Sequence, residues 1–206
     1  MSIPASSVAT DAKALKIVTR ARALFVERGY AATSMDDVAA VAQISKTTLY
    51  KRFPSKALLF AAVIATQALS TGMEIDAGEL EKLPAEQALF EIGRRFVKFA
   101  CAPENVRLEL IYHSEAKQLP EVANAFEQAG PQRSIAIVER YFRFAIQQKL
   151  LSLEDPHFTA GHFLNAMKGT PSGVSLSPYT SLSSAKKDAH IRKIVQLFLD
   201  GARPRN

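Results

Sequence analysis

The sequence contains little of what extracellular or membrane proteins need. Cys101 is the single cysteine among 206 residues, so no disulfide forms within the chain, as is typical of a reducing cytoplasm. The longest apolar run has nine residues, at 57–65, whereas a helix that crosses a bilayer needs about 20. The first ten residues have neither a basic start nor an apolar run, so we expect no secretion signal. These absences predict a cytoplasmic location without a membrane partner.

Catalytic motifs and metal-ligand spacings are also missing. The sequence has no nucleophile motif, no glycine-rich phosphate loop and no zinc-type spacing. The histidines are scattered, and His157 and His162, five residues apart, share one helical face poorly. Whether Cys101 senses oxidants stays open, although a lone cysteine on an apolar helix is usually a core residue. We therefore expect a protein that is not an enzyme and needs no metal or cofactor.

Apolar residues recur at helical spacing along nearly the whole chain. No run of alternating β-branched residues occurs, which argues against strands. Gly29 ends the first apolar stripe, and Gly130 followed by Pro131 separates two later helices. A polar break covers residues 71–84, and residues 169–182 contain two glycines and two prolines, which predicts a loop. The predicted fold class is all-α.

Residues 33–56 have the pattern of two short helices joined by a tight turn. Ser34 precedes an apolar-periodic stretch and has Asp37 three residues on, a pair that can cap a helix start. Ser45 is placed to cap the second helix, with Thr48 at its third position. Another helix follows directly. This pattern indicates a helix-turn-helix, in which the first turn of the second helix contacts base edges.

Positive charge is concentrated at this end of the chain. The net charge is +6, and residues 1–60 hold nine Lys and Arg against four Asp and Glu, compared with seventeen against sixteen in the rest. A basic segment on a near-neutral body suits a polyanion that contacts only that segment. Lys56 stands in the first turn of its helix, where a cation opposes the helix dipole. A phosphate bound at that helix start would account for it.

Two groups of segments carry a family resemblance. ALFVERGY and ATSMDDVAAVAQISKTTLYKRFPSKALLFAAV make residues 12–62 resemble the N-terminal domain of TetR-type transcriptional regulators. RRFVKFACAPE, LPEVANAFEQAGPQRS and LLSLEDPHFTAGHFLNAMKG make residues 94–170 similar to the AefR-like C-terminal type. The resemblance implies a three-helix helix-turn-helix DNA-binding domain at 10–56, called the head below. It also implies a larger α-helical effector-binding and dimerisation domain at 57–206.

The resemblance implies roles for individual residues of the head. Tyr50 and Lys56 are expected to clamp phosphates, and Lys46 is expected to contact bases or phosphates. The family most often has glycine at the position of Gln43, and a left-handed backbone there would cost glutamine about 1–2 kcal/mol. The complete set of expected DNA-binding residues is Thr33, Ser34, Ser45, Lys46, Thr47, Thr48, Tyr50, Lys51 and Lys56.

The body is expected to pair two subunits and to enclose a ligand. Family members are homodimers, and two heads about 34–36 Å apart match two half-sites. A four-helix bundle from residues 155–168 and 184–201 of both subunits would use Phe158, His162, Ile191, Ile194, Val195 and Phe198. The last four of these belong to an apolar stripe on the final helix. The alternative is that this stripe packs only within its own subunit. A mostly apolar cavity would use Phe96, Phe99, Tyr112, His113, Tyr141, Phe144, Phe163 and Met167, although such aromatic residues are often plain core.

The leading hypothesis is a dimeric repressor that leaves its double-stranded DNA operator when a small, largely apolar effector binds. One alternative is an activator or a ligand-independent regulator. Another is a small-molecule carrier or enzyme with a vestigial head.

Overall fold

The computed structural model describes residues 11–70, 77–168 and 183–202. These residues form eleven α-helices and no strand, which confirms the all-α fold class. The helices are α1 (Ala12–Arg28), α2 (Met35–Ala42), α3 (Lys46–Arg52), α4 (Lys56–Ser70), α5 (Ala77–Leu80), α6 (Ala85–Ala100), α7 (Pro103–Glu115), α8 (Pro120–Ala129), α9 (Pro131–Gln147), α10 (Pro156–Lys168) and α11 (Ser184–Ala202). None of these helices is long and apolar enough to cross a membrane. The predicted loop at 169–182 lies outside the described residues.

The described residues group into two compact units. Unit 1 contains 11–70 and 104–132, and unit 2 contains 77–103, 133–168 and 183–202. Helices α7 and α8 therefore belong to the same unit as the head, because α8 packs along α4. The domain boundary at residue 56 stays a prediction, because the two compact units divide the chain at other residues.

Unit 1 is built around the apolar side of α1. Asp11 caps this helix by accepting the N–H groups of Lys13 and Ala14 at 2.9 and 3.2 Å. Phe25, near the other end, is fully buried. Its ring stacks on Tyr30 at 5.5 Å and meets the edge of Phe60 at 5.4 Å. This aromatic cluster joins the end of α1 to α4.

Unit 2 has α6 packed against both α10 and α11. A Cβ atom added at Gly93 in α6 would lie 2.8 Å from Cγ2 of Ile191 and 3.0 Å from Sδ of Met167. The absence of a side chain at Gly93 thus permits the close approach of three helices. Phe198 of α11 adds a stacked ring contact with Phe142 of α9, at 5.3 Å between centroids.

The short helix α5 lies within the segment predicted as a polar break. Its buried anchor is Leu80, which is 1% exposed. Four residues are too few to display a helical period, so the sequence gives no signal for this helix.

Two glycines inside helices of unit 2 test the packing of α6. Gly93→Ala forces a methyl group against Ile191 and Met167, and overpacking of this kind costs about 1–3 kcal/mol. Gly161→Ala is the matched control, because its nearest contact would be Cδ1 of Ile135 at an ordinary 3.7 Å. We expect urea unfolding to show destabilisation by Gly93→Ala and stabilisation by about 0.5–1 kcal/mol for Gly161→Ala. Equal stabilisation by both would contradict the close helix packing.

Candidate nucleic-acid interface

Helix α2 begins with a reciprocal cap between Ser34 and Asp37. The hydroxyl oxygen of Ser34 accepts the N–H of Asp37 at 3.0 Å, and a carboxylate oxygen of Asp37 accepts the N–H of Ser34 at 2.9 Å. The hydrogen bonds from Ser34 lower the pKa of Asp37 below its usual value. The capping predicted from the sequence is confirmed, and the Ser34 hydroxyl is engaged in it.

Helix α3 has one buried side and one exposed side. Ser45 accepts the N–H of Thr48 at 3.2 Å, and their hydroxyl groups lie 2.8 Å apart, so the predicted cap is confirmed. Leu49 is fully buried and Phe53, just after the helix, is 1% exposed. The opposite side, called the α3 face below, consists of the exposed residues Lys46, Thr47, Tyr50 and Lys51.

The turn between α2 and α3 requires a left-handed residue. Gln43 has φ 55° and ψ 52°, and its N–H donates to the carbonyl of Ala40 at 3.1 Å. The next N–H, of Ile44, donates to the carbonyl of Ala39 at 3.0 Å. The turn thus has the backbone conformation that glycine adopts without strain, and glutamine occupies it.

Lys46 of the α3 face is held by an acidic residue of α2. Its ammonium lies 2.6 Å from a carboxylate oxygen of Asp36, and this hydrogen bond raises the pKa of Lys46. Both side chains are more than half exposed, so the pair is open to exchange with water and salt. Sequence reasoning missed Asp36, because no local pattern links residues ten positions apart across a turn.

Lys56 lies beneath the connection between α1 and α2. We call this connection, residues 29–33, the corner. The ammonium of Lys56 donates to the carbonyls of Tyr30 at 2.9 Å and Thr33 at 3.0 Å, and it lies 4.3 Å from the centroid of the Tyr30 ring. Burial lowers the pKa of Lys56. Sequence reasoning assigned Lys56 to a phosphate and did not identify these intrachain partners.

Thr33 belongs to the interior of the corner. Its side chain is fully buried, and its hydroxyl donates to the carbonyl of Gly29 at 2.8 Å. The nine expected DNA-binding residues therefore occupy three kinds of place. Four form the α3 face, Ser34, Ser45 and Thr48 cap helices, and Thr33 and Lys56 hold the corner.

The expected ligand-binding residues are distributed over both units. Phe96, Tyr141, Phe163 and Met167 are buried in unit 2, where Phe99 and Phe144 are half-buried. In unit 1, Tyr112 stacks on Phe126 at 4.5 Å and donates to Glu127 at 2.9 Å, and His113 is exposed. Their role in ligand binding stays a prediction.

Unit 2 also has an open groove of about 580 Å³. It is lined by Glu79, Leu80, Leu83, Glu86, Gln87, Phe90, Glu91, Arg95, Arg192 and Val195. The expected ligand-binding residues are not among these lining residues. Sequence reasoning missed the groove, because α5, which contributes to it, has no recognisable pattern.

The expected dimer residues divide by exposure. Phe158 of α10 is 60% exposed, and its ring lies 3.9 Å from that of His162. Ile191 and Val195 of α11 are buried within their own subunit. Burial accounts for their apolar character without a second subunit. Ile194 and Phe198 are half-buried.

Leu197 is an exposed apolar residue that the predicted stripe on α11 leaves out. It is 71% exposed, which makes it the most exposed of the large apolar side chains in the described part of the chain. The direct role of Phe158 and the other expected residues in dimerisation stays a prediction.

The comparisons with known proteins agree on one family. A model described as bacterial regulatory proteins, tetR family, matches residues 17–63. A second, described as AefR-like transcriptional repressor, C-terminal domain, matches residues 87–201. No curated protein matches the chain.

Three solved structures illustrate the similarity. A structure assigned to the TetR-family transcriptional regulators, from Mesorhizobium loti MAFF303099, has TM-score 0.78 and 26% identity over 93% of this chain and 97% of that chain. The flavonoid-responsive regulator FrrA has TM-score 0.75 and 27% identity over 94% and 98%. A TetR family regulator from Pseudomonas syringae pv. tomato str. DC3000 has TM-score 0.68 and 24% identity over 95% and 100%, and this likeness supports the fold alone.

The left-handed turn residue gives a direct test of the helix-turn-helix geometry. Gln43→Gly removes the steric cost of a Cβ atom at positive φ, about 1–2 kcal/mol, and adds backbone entropy to the unfolded chain, about 0.5–1 kcal/mol. We expect the free energy of unfolding, measured in urea, to rise by about 0.5–1 kcal/mol. Gln43→Ala retains the Cβ atom and should give no such gain. A gain of the same size for alanine would argue against strain at this turn.

Proposed function

Because the chain belongs to the TetR family of bacterial regulatory proteins, we propose that it is a dimeric repressor released from its operator by a small, largely apolar effector. Family and fold make the protein a DNA-binding transcriptional regulator with a helix-turn-helix head. Repression, release and dimerisation are the proposed part, as is action in the bacterial cytoplasm, where the chromosome lies. The observation that carries the proposal is the α3 face, a solvent-exposed polar and basic surface on a capped helix.

The α3 face divides its contacts by position. Lys46 and Thr47 stand in the first turn of α3, from which recognition helices contact base edges. Tyr50 and Lys51 stand one turn further along, where a phenol hydroxyl and an ammonium suit phosphate oxygens. Lys46 exchanges Asp36 for DNA on binding. Thr33 and Lys56 support DNA binding indirectly, through the corner.

Dimerisation is proposed through α10 and α11, which pack against each other. Phe158 on α10 and Leu197 on α11 are both more than half exposed. A second subunit that covered these two side chains would remove their apolar surface from water, which favours association. Two heads on one dimer would bind two half-sites and so gain affinity and specificity together.

The effector is proposed to bind in unit 2. Half-buried aromatic rings such as Phe99 and Phe144 suit a planar, mostly apolar molecule. Flavonoids are the first class to try, because the similar regulator FrrA is flavonoid-responsive. Release follows if the effector prefers a conformation whose heads do not fit the operator. An effector that binds the protein and leaves operator affinity unchanged would contradict release.

Substitutions on the α3 face test the proposed division of contacts. The operator is first obtained by selecting duplexes from a random library with the wild-type protein. Thr47→Ala should change the base preference at particular positions, because base contacts specify the sequence. Lys51→Ala should weaken binding to all duplexes and reduce the slope of log affinity against log salt by about 1.

Lys98→Ala is the matched control for the lysine substitution. Lys98 is an exposed residue of α6 in unit 2, and its removal should leave both base preference and salt slope unchanged. Reselection with each variant gives the preference, and fluorescence anisotropy gives the slope. An unchanged preference in Thr47→Ala together with an unchanged slope in Lys51→Ala would exclude the α3 face as the DNA contact.

Substitution of exposed leucines tests the proposed dimer surface. Leu197→Glu places a carboxylate at the surface that a second subunit would cover, and a desolvated unpaired charge opposes association strongly. Light scattering should show the mass of one chain instead of two, and operator affinity should fall with it. Leu110→Glu, at an exposed leucine of unit 1, should remain dimeric. A dimeric Leu197→Glu protein would place the interface elsewhere.

A further inference from the structure

We propose that Glu115, at the end of α7, is a positioning residue of the head. Its carboxylate holds the corner and thereby sets where α2 and α3 lie when the α3 face meets DNA. The inference rests on the proposed function, because it assumes that the α3 face reads the operator.

The contact joins residues that are far apart in sequence. A carboxylate oxygen of Glu115, Oε1, accepts the N–H of Tyr30 at 3.0 Å across a separation of 85 residues. Gly29 just before it has φ 87°, and a Cβ atom added there would lie 3.4 Å from the same oxygen. The carboxylate therefore lies directly against the backbone of the corner, at the point where the chain leaves α1.

The second oxygen of the carboxylate is buried and unpaired. Oε2 of Glu115 has no hydrogen-bond partner among the described residues. A buried carboxylate oxygen without a partner is unfavourable, and a nearby positive charge offsets part of this cost. Lys56 is such a charge. Burial lowers the pKa of Lys56, and the negative charge of Glu115 acts in the opposite direction, in favour of protonated Lys56. The two residues hold opposite sides of the corner: Glu115 binds an N–H group, and Lys56 binds carbonyls.

The corner is connected directly to the DNA-reading helices. Thr33, whose carbonyl binds Lys56, precedes Ser34, the cap of α2. Helix α2 packs against α3, and only the turn at Gln43 separates them. A change at Glu115 is therefore transmitted through fixed backbone to the α3 face.

The place of Glu115 in the molecule is unexpected from the family models. Residue 115 lies within the C-terminal domain model, which matches residues 87–201. In the structure, residues 104–132 belong to the same compact unit as the head. A residue of the nominal effector domain thus forms part of the support of the reading helices.

The experiment compares specific with nonspecific DNA affinity in three variants. The probes are a duplex selected by the wild-type protein and a scrambled duplex of equal length. Glu115→Ala removes the acceptor, whereas Glu115→Gln retains an oxygen at the position of Oε1. Glu121→Ala is the matched control: Glu121 also acts on Lys56 by charge, but it is exposed in the first turn of α8 and holds no corner N–H group.

We expect Glu115→Ala to lower the ratio of specific to nonspecific affinity about tenfold, the effect of one lost hydrogen bond. Glu115→Gln should stay within about twofold of the wild type, and Glu121→Ala should leave the ratio unchanged, because these variants retain the acceptor. Circular dichroism checks that each variant is folded at the assay temperature. If Glu115→Ala does not fold, Glu115→Asp, which withdraws the carboxylate by one methylene, should show a smaller fall.

Two results would overturn the inference. The first is a ratio in Glu115→Ala equal to that in Glu121→Ala, as expected if Glu115 only adds stability or charge. The second is an equal loss in Glu115→Gln and Glu115→Ala. A wild-type protein that selects no duplex would overturn the DNA-reading function itself, and the inference with it.

Discussion

The ammonium group of Lys56 is bound by the backbone of the corner, and the geometry of the head depends on this interaction. A cation in the first turn of a helix opposes the helix dipole, at a cost of about 0.3–1 kcal/mol, and its partial burial adds a further cost. Hydrogen bonds to the carbonyls of Tyr30 and Thr33, together with the ring of Tyr30, offset these costs. The ammonium has these carbonyl and ring contacts only while the corner keeps this conformation.

Several backbone groups of the corner are bound by side chains of the same unit. Lys56 donates to corner carbonyls, and the hydroxyl of Thr33 donates to the carbonyl of Gly29. Glu115 accepts a hydrogen bond from the N–H of Tyr30. Satisfied backbone groups make a loop costly to rearrange. The start of α2 follows directly from the corner, and the lysines and hydroxyls of the α3 face take no part in these contacts. Support and recognition are carried by different residues of one small unit.

Sequence reasoning succeeded where the physical cause was local. The caps at Ser34 and Ser45 and the burial of Leu49 follow from spacings of three or four residues, which a single helix fixes. The contact between Glu115 and Tyr30 could not be predicted, because it depends on how α7 meets α1 across 85 positions. Lys56 shows a second limit: a cation at a helix start needs oxygen ligands, and sequence does not distinguish a phosphate from carbonyls of the same chain.

The body of the protein shows the same limit for apolar residues. The apolar stripe on α11 gives the same sequence pattern whether it packs inside its own subunit or against another subunit. In the structure Ile191 fills the space that Gly93 leaves, whereas Leu197, outside the stripe, remains exposed. The hydrophobic pattern identifies the helix and its apolar side. Which of its apolar residues remain exposed to a partner depends on how the neighbouring helix packs.

The most direct test is a crystal structure of the protein bound to its selected operator. We expect the Nζ atom of Lys56 to remain within hydrogen-bond distance of the carbonyls of Tyr30 and Thr33. Lys46 should leave Asp36 and contact the DNA. An operator complex in which Lys56 has left the corner and binds a phosphate would contradict the supporting role given to this residue.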